Sequence, residues 1–221
     1  IELCIFQGER MHTFLLPEKT NNIWHGYLEG AEPGLGYAYK ASGENHAGNK
    51  FNPDILLLDP YAKELTGSFT YQPSATSAHG LRAKVIDSAY DWAGDTLPNT
   101  PWNDTILYEA HVKGTTFLHP DIPKHLRGTY QGLSSPVMID HFKKLGVTAV
   151  SLLPVNYFIS EARLLNNGLT NYWGYNTLSF FVPDQRYASG NDGQSAIAEF
   201  KAMVKELNAE GIEVVLDVVY N

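Results

Sequence analysis

Cysteine occurs once, at Cys4, so the chain forms no intrachain disulfide, and a reducing, cytoplasmic compartment is the expectation. Lys and Arg never gather into a cluster, and the formal net charge is −8. Nucleic-acid binding needs basic groups to neutralise phosphates, so no nucleic-acid partner is expected. An anionic membrane surface is disfavoured for the same reason, and no apolar run approaches the roughly 20 residues that cross a bilayer. An uncharged partner is easier to accommodate. The eight histidines are scattered without zinc-type spacing. There is no phosphate-binding Gly-Lys loop, no dinucleotide glycine fingerprint and no Gly-x-Ser-x-Gly elbow. Asp192-Gly193 reads as a loop tip and not as a calcium loop. No metal and no cofactor is therefore expected. The first residue is Ile, and Glu2 to Phe6 enters a strand pattern at once, so the natural amino terminus is expected upstream. Absence of a signal peptide then carries no weight.

What is present is ordinary globular composition, 43% apolar and 18% charged, with a rich aromatic set of 13 Tyr, 10 Phe and 4 Trp. Those rings suit sugar-stacking surfaces and suit a plain aromatic core equally. The chain has two grammars. Residues 1–97 read as short strands at Leu3 to Phe6, His12 to Leu16, Ile23 to Leu28, Gly36 to Ala41 and Ile55 to Leu58. Turn material separates them at Gly8-Glu9, Pro17 to Asn22 and Glu29 to Gly34. This spacing predicts a small β-sandwich, and residues 59–100 are expected to form a long surface connection. Pro98-Asn99-Thr100-Pro101 marks the boundary to a second domain, 98–221.

The second grammar alternates strands and helices. Ile106 to Val112 reads as a strand. Ser135-Pro136 opens a helix carrying Met138, Ile139, Phe142 and Leu145, stopped by Gly146. Val147 to Leu153 is the apolar run of a strand covered on both faces. A second helix from about Asp192 carries Ile197, Phe200, Val204 and Leu207 and ends at Gly211, and the strand Ile212 to Val219 follows. This order implies parallel strands with right-handed crossovers, the first β/α units of a (β/α)8 TIM barrel.

In such barrels the carboxyl ends of the strands form the active face. Asp217 sits at one such end and is the best carboxylate candidate. Glu109 and His111 alternate near another end, as a site floor or, more ordinarily, as a satisfied hydrogen-bonded couple. Asn171-Tyr172-Trp173-Gly174-Tyr175-Asn176 lies in the loop after the second strand. There Trp173 and Tyr175 either stack on a sugar or pin the loop. A retaining glycosidase needs two carboxylates about 5–5.5 Å apart, and a lone acid does not suffice.

Several segments resemble one family. Asp217-Val218-Val219-Tyr220-Asn221 is similar to the first conserved region of the α-amylase superfamily. Tyr108 to Gly114, Arg127-Gly128-Thr129-Tyr130 and Asn171 to Asn176 resemble the isoamylase-type bacterial glycogen debranching enzymes, as do Ile23 to Leu28 and Phe51-Asn52-Pro53. The likeness runs over nearly all 221 residues. It implies a glycogen-binding β-sandwich and a hydrolase of α-1,6 branch linkages in glycogen or limit dextrin, acting with retention. It assigns Tyr175 to sugar stacking at the cleavage subsite and Asp217 to support of the site without being the nucleophile. Trp173 joins them as a substrate-binding candidate, and Asn221 matches the asparagine before a substrate-binding His. Debranching enzymes generally do without the calcium that this asparagine holds in many amylases. Ser151 and Lys50 depart from the family, which commonly has Glu and Arg there. The nucleophile, acid/base and third carboxylate are expected beyond Asn221, so no residue here is assigned a catalytic role and the isolated chain is expected to be inactive. The alternatives are a non-catalytic α-glucan-binding fragment, or part of a branching enzyme or a trehalose-releasing hydrolase.

Overall fold

The computed structural model describes residues 1–44, 46–72, 78–190 and 195–220. The chain divides into two compact units, Ile1–Ser88 and Ala89–Asn221. The first is an antiparallel β-sandwich assembly. Strands β1 (Glu2–Gln7), β2 (Arg10–Leu15), β3 (Glu18–Thr20), β4 (Ile23–His25), β5 (Gly36–Lys40), β6 (Leu65–Gly67) and β7 (Leu81–Lys84) make up its sheets. Five of them form one sheet in the order β2-β1-β5-β7-β6, while β3 and β4 pair as a separate ribbon. Alternation along β1 and β5 sorts the side chains. Cys4, Phe6 and Ala38 join Leu56 and Ala78 in a buried cluster. Leu3 and Ile5 lie opposite Tyr39 and Tyr37 in register and line a 390 Å³ cavity on the other face.

Three sequence expectations change here. Pro17 to Asn22, read as turn, contains β3, whose three residues are too few to display alternation. Ile55 to Leu58, read as a strand, contributes only an isolated bridge from Leu57 to Tyr39. Residues 59–100, read as a surface connection, contain β6 and β7, whose Leu65, Leu81 and Ala83 are buried. The apolar residues of β7 do alternate, but over four positions with Arg82 and Lys84 between them, which is weak periodicity.

The second unit is built on a parallel sheet of β8 (Leu107–Ala110), β9 (Ala149–Leu152) and β12 (Glu213–Leu216), with β9 central. Helices α1 (Val112–Thr116), α2 (Tyr130–Leu133), α3 (Pro136–Leu145), α4 (Ala162–Leu165) and α5 (Ala196–Ala209) complete it, with a hairpin of β10 (Asn156–Phe158) and β11 (Thr177–Pro183). As the sequence predicts, Ser135 has the extended backbone of an N-cap, Pro136 opens α3, and Gly146 closes it at φ 73°. The Ser135 side chain makes no cap bond. Ser195 caps α5 through its hydroxyl, while Asp192 and Gly193 lie outside the described residues. One face of the sheet (Tyr108, Ala110, Val150, Leu152, Val214) packs with Met138, Phe142, Met203 and Leu207 from α3 and α5. Full burial of Phe142 or Leu207 contributes roughly 1.5–3 kcal/mol each. The opposite face carries Leu107, Glu109 and Val215, which are exposed. β9 is thus the most covered strand and β8 and β12 are its more open neighbours.

The first strand ends sooner than expected. His111 has left the ladder and serves as the N-cap of α1. The loop after β9, read as irregular, contains the β10–β11 hairpin and α4.

Candidate functional site

At the carboxyl edge of the parallel sheet the ladder runs one residue further. Leu153 N–H donates to the Ala110 carbonyl and Asp217 N–H to that of Leu152, both at 2.9 Å. Asp217 is thereby fixed at the rim, half-buried. Its Oδ2 accepts a hydrogen bond from the Tyr175 hydroxyl. That bond, burial, and the charges of Asp217 and Glu109 push the Tyr175 phenol up to about 12. Tyr175 therefore stays protonated through the physiological range and acts as a donor, and its ring is held in one orientation. Glu109, exposed on β8, contributes charge to the same spot and makes no couple with His111.

The segment that presents Tyr175 is fastened at several points. Asn171 N–H donates to Ser160 Oγ at 3.0 Å, and its Nδ2 donates to both carboxylate oxygens of Glu161 at 3.1 and 3.2 Å. Asn171 Oδ1 accepts from Gly174 N–H at 2.9 Å, closing the loop on itself three residues on. Gly174 sits at φ 84°, where a Cβ would lie 3.0 Å from the Pro154 carbonyl, so glycine is required for both reasons. Between these points Trp173 stands 61% exposed. Together with Glu161, Leu164, Thr170, Tyr172 and Tyr175 it borders a groove of 580 Å³.

His111 is buried and uses both ring nitrogens. Nδ1 accepts from Gly114 N–H at 3.0 Å, and Nε2 donates to the Tyr172 carbonyl at 2.7 Å. Burial lowers its pKa, so the ring is neutral with its proton on Nε2. Tyr172 stacks on it, ring centroids 4.0 Å apart and 9° from parallel, and Tyr187 meets it edge-on. The expected Glu109–His111 couple is therefore not formed: the ring is satisfied by Gly114 and Tyr172 instead.

Of the substrate-binding candidates, the structure brings Tyr175 and Asp217 into contact and places Trp173 beside Tyr175 on the same loop; Asn221 lies outside the described residues. Sequence reasoning missed the groups that hold the loop. The Asn-x-x-Gly spacing is the local signal that could have found Asn171 and Gly174, whereas the stacking partner of Tyr172 leaves none. Nor were two buried carboxylates seen. Asp184 pairs with the Arg186 guanidinium, and Glu199 accepts from Ser189 N–H, Ser189 Oγ and Gly190 N–H at 2.8–3.1 Å. Tyr130, from the Arg127-Gly128-Thr129-Tyr130 segment, is fully buried and donates to the Asp184 carbonyl at 3.1 Å, a structural use of that motif. Among the described residues no three His, Cys, Asp or Glu side chains gather in a way that could hold a metal ion. No helix among them is long and apolar enough to cross a membrane.

Residues 1–62 match the family Carbohydrate-binding module 48 (isoamylase N-terminal domain). The whole chain is 46% identical over 235 residues to the glycogen debranching enzyme of Yersinia enterocolitica, covering 36% of that protein. It is 45% identical over 242 residues to the glycogen operon protein GlgX homolog of Mycobacterium tuberculosis, covering 34%. The chain thus spans about a third of the length of the curated relatives it matches. Among solved structures, the full chain superposes on pullulanase of Paenibacillus barengoltzii, crystallised with maltotetraose, with a TM-score of 0.74 at 24% identity over 34% of that chain. Pullulanase type I of Bacillus subtilis gives 0.73 at 24% over 30% of its chain. The fold is therefore a β-sandwich, matched over residues 1–62 by the carbohydrate-binding-module model, followed by parallel β/α units that align with the pullulanases, and the sequence is similar over its whole length to glycogen debranching enzymes.

Proposed function

We propose that these 221 residues form the α-glucan-contacting front of a debranching α-1,6-glucosidase that acts on glycogen or limit dextrin with retention of configuration. The observation that carries this reading is the hydrogen bond from Tyr175 to Asp217 at the carboxyl rim of the parallel sheet, in a chain similar over its whole length to glycogen debranching enzymes. In this role the fixed Tyr175 ring stacks on the sugar at the cleavage point, Trp173 extends the platform, and Asp217 orients Tyr175 and substrate hydroxyls. Asn221 is assigned to the same rim from sequence alone. Retaining hydrolysis needs a nucleophile and an acid/base about 5–5.5 Å apart. Both are placed in the part of the longer protein that these residues do not include, so the 221-residue chain releases no reducing ends by itself.

The test is product analysis on glycogen limit dextrin with the longer protein that contains this chain and with the chain alone. Linear maltooligosaccharides from the longer protein and none from the chain are expected, with Tyr175→Ala lowering kcat/KM by about 100-fold. New branches or trehalose as products would reassign the reaction to a branching enzyme or a trehalose-releasing hydrolase. Reducing ends released by the pure chain would overturn the division of labour.

A second reading has its own support. The match of residues 1–62 to a carbohydrate-binding module, with Trp24 and Tyr27 exposed, favours non-catalytic α-glucan binding by the sandwich. Saturable maltoheptaose binding that disappears in Trp24→Ala and Tyr27→Ala would establish it, and binding that ignores both would dismiss it.

A further inference from the structure

The proposed sugar platform is only as useful as the loop that aims it, and one end of that loop is held by a histidine that touches no sugar. We infer that His111 is a positioning residue for the Trp173–Tyr175 platform, acting through Tyr172, with Gly114 as the space that lets it do so; this rests on the reading of Trp173 and Tyr175 as the sugar-contacting rings. His111 sits at the end of β8 and caps α1, so its backbone is fixed by the sheet on one side and the helix on the other. From there Nε2 holds the Tyr172 carbonyl at 2.7 Å while the imidazole face holds the Tyr172 ring at 4.0 Å. Two contacts of different kind on one residue define both its position and its orientation. Trp173 is the next residue along, and Gly174 is already fixed by Asn171 at 2.9 Å, so the backbone around Trp173 is held on both sides.

Gly114 completes the arrangement. It lies in α1, where a side chain is conformationally acceptable, yet a Cβ there would come within 2.0 Å of the Tyr172 hydroxyl oxygen and 3.3 Å of its Cζ. Alanine at this helical position favours the helix by about 1 kcal/mol over glycine. The glycine therefore weakens α1 and makes room for the ring. That trade is explained by placement of Tyr172 and not by the stability of α1.

The test uses three variants of the 221-residue chain and two readouts. His111→Asn keeps a side-chain acceptor for the Gly114 N–H but has neither the reach to Tyr172 nor the ring. His111→Gln offers an amide donor that reaches the Tyr172 carbonyl. Gly114→Ala displaces the Tyr172 ring without altering His111. Hydrogen exchange in residues 171–176 is expected to quicken about ten-fold in His111→Asn and Gly114→Ala, with residues 147–153 of the central strand region unchanged and His111→Gln recovering part of the protection. Maltoheptaose affinity is expected to weaken about ten-fold in the same two variants. Unchanged exchange in 171–176, or exchange that rises equally in 147–153, overturns the inference, because His111 would then be idle or merely a stability residue. If Trp173→Ala and Tyr175→Ala leave maltoheptaose affinity untouched, the sugar platform falls as a reading, and the exchange result still decides whether His111 positions the loop.

Discussion

The two units present aromatic rings in opposite ways. On the sandwich, Tyr27 is 92% exposed and Trp24 is 42% exposed, with Lys19 Nζ at 5.3 Å from its ring. On the parallel unit, Tyr172 and Tyr175 are each tied at a second point, one by His111 and the other by Asp217. A ring already held in place gives up little conformational freedom when a sugar stacks on it, whereas a loose side chain loses up to about 1.5 kcal/mol of rotamer freedom on being ordered. The difference explains why the loop of the second unit makes the better candidate for specific recognition, and the sandwich the better candidate for weak retention of a polymer.

Removing the support beneath that loop should have the largest effect. Phe142 is fully buried between α3 and the sheet, and Phe142→Ala is expected to cost roughly 3–5 kcal/mol in urea unfolding followed by far-ultraviolet circular dichroism. A loss under 1 kcal/mol would mean that α3 is not seated as described. Next comes the tie itself. Tyr175→Phe keeps the ring and deletes the hydroxyl that donates to Asp217, and should weaken maltoheptaose binding by about ten-fold, the scale of one hydrogen bond to a charged group. If Tyr175→Phe binds as the parent does, orientation by Asp217 contributes nothing. A direct contrast of the two surfaces is smaller again. Trp173→Ala is expected to weaken maltoheptaose binding about five-fold and Tyr27→Ala less than two-fold, by calorimetric titration. The reverse ranking would give the recognition role to the sandwich.

How much of this could be read in the sequence follows from the length and locality of each signal. α3 was legible because Ser135, Pro136 and Gly146 bracket a ten-residue amphipathic run. The central strand was legible because burial on both faces leaves an unbroken apolar stretch. β3, β6 and β7 were not, since three or four residues carry too little periodicity, and the partner of β7 in β5 lies far back along the chain. The same distinction governs the site. Asp217 and Tyr175 were found as residue types at a strand end and in a glycine-flanked loop, and the resemblance to debranching enzymes supplied their roles. Their mutual hydrogen bond spans 42 positions, and the His111–Tyr172 contact spans 61, so neither leaves a mark on local pattern. Strand alternation carried on through His111 would set it beside Glu109. The strand ends at Ala110 and the chain turns into α1 at His111, which sends the imidazole to Gly114 and Tyr172 instead.

The smallest effect tests whether that burial has an energetic consequence. Desolvation depresses the His111 pKa below its ordinary 6.5, and the Lys113 charge acts in the same direction, against two hydrogen bonds that favour the charged form. Tyr172 and Tyr187 pack on the ring, and Glu109, His119 and His141 line the adjoining cavity. Protonation would place a second N–H on Nδ1, facing the Gly114 N–H that it now accepts from, so the folded state resists the proton that the unfolded chain accepts. Where the unfolded state binds more protons, stability rises with pH. The contribution of His111 is therefore fully present above about pH 6.5 and is lost progressively as pH falls from there toward its lowered folded value. The urea midpoint of the parent should drop between pH 7 and pH 5 by more than that of His111→Asn, which keeps the cap acceptor and has no proton to gain. Parallel pH profiles for the two proteins would show that the neutral imidazole costs the fold nothing to maintain, and that the geometry at Tyr172 survives its charging.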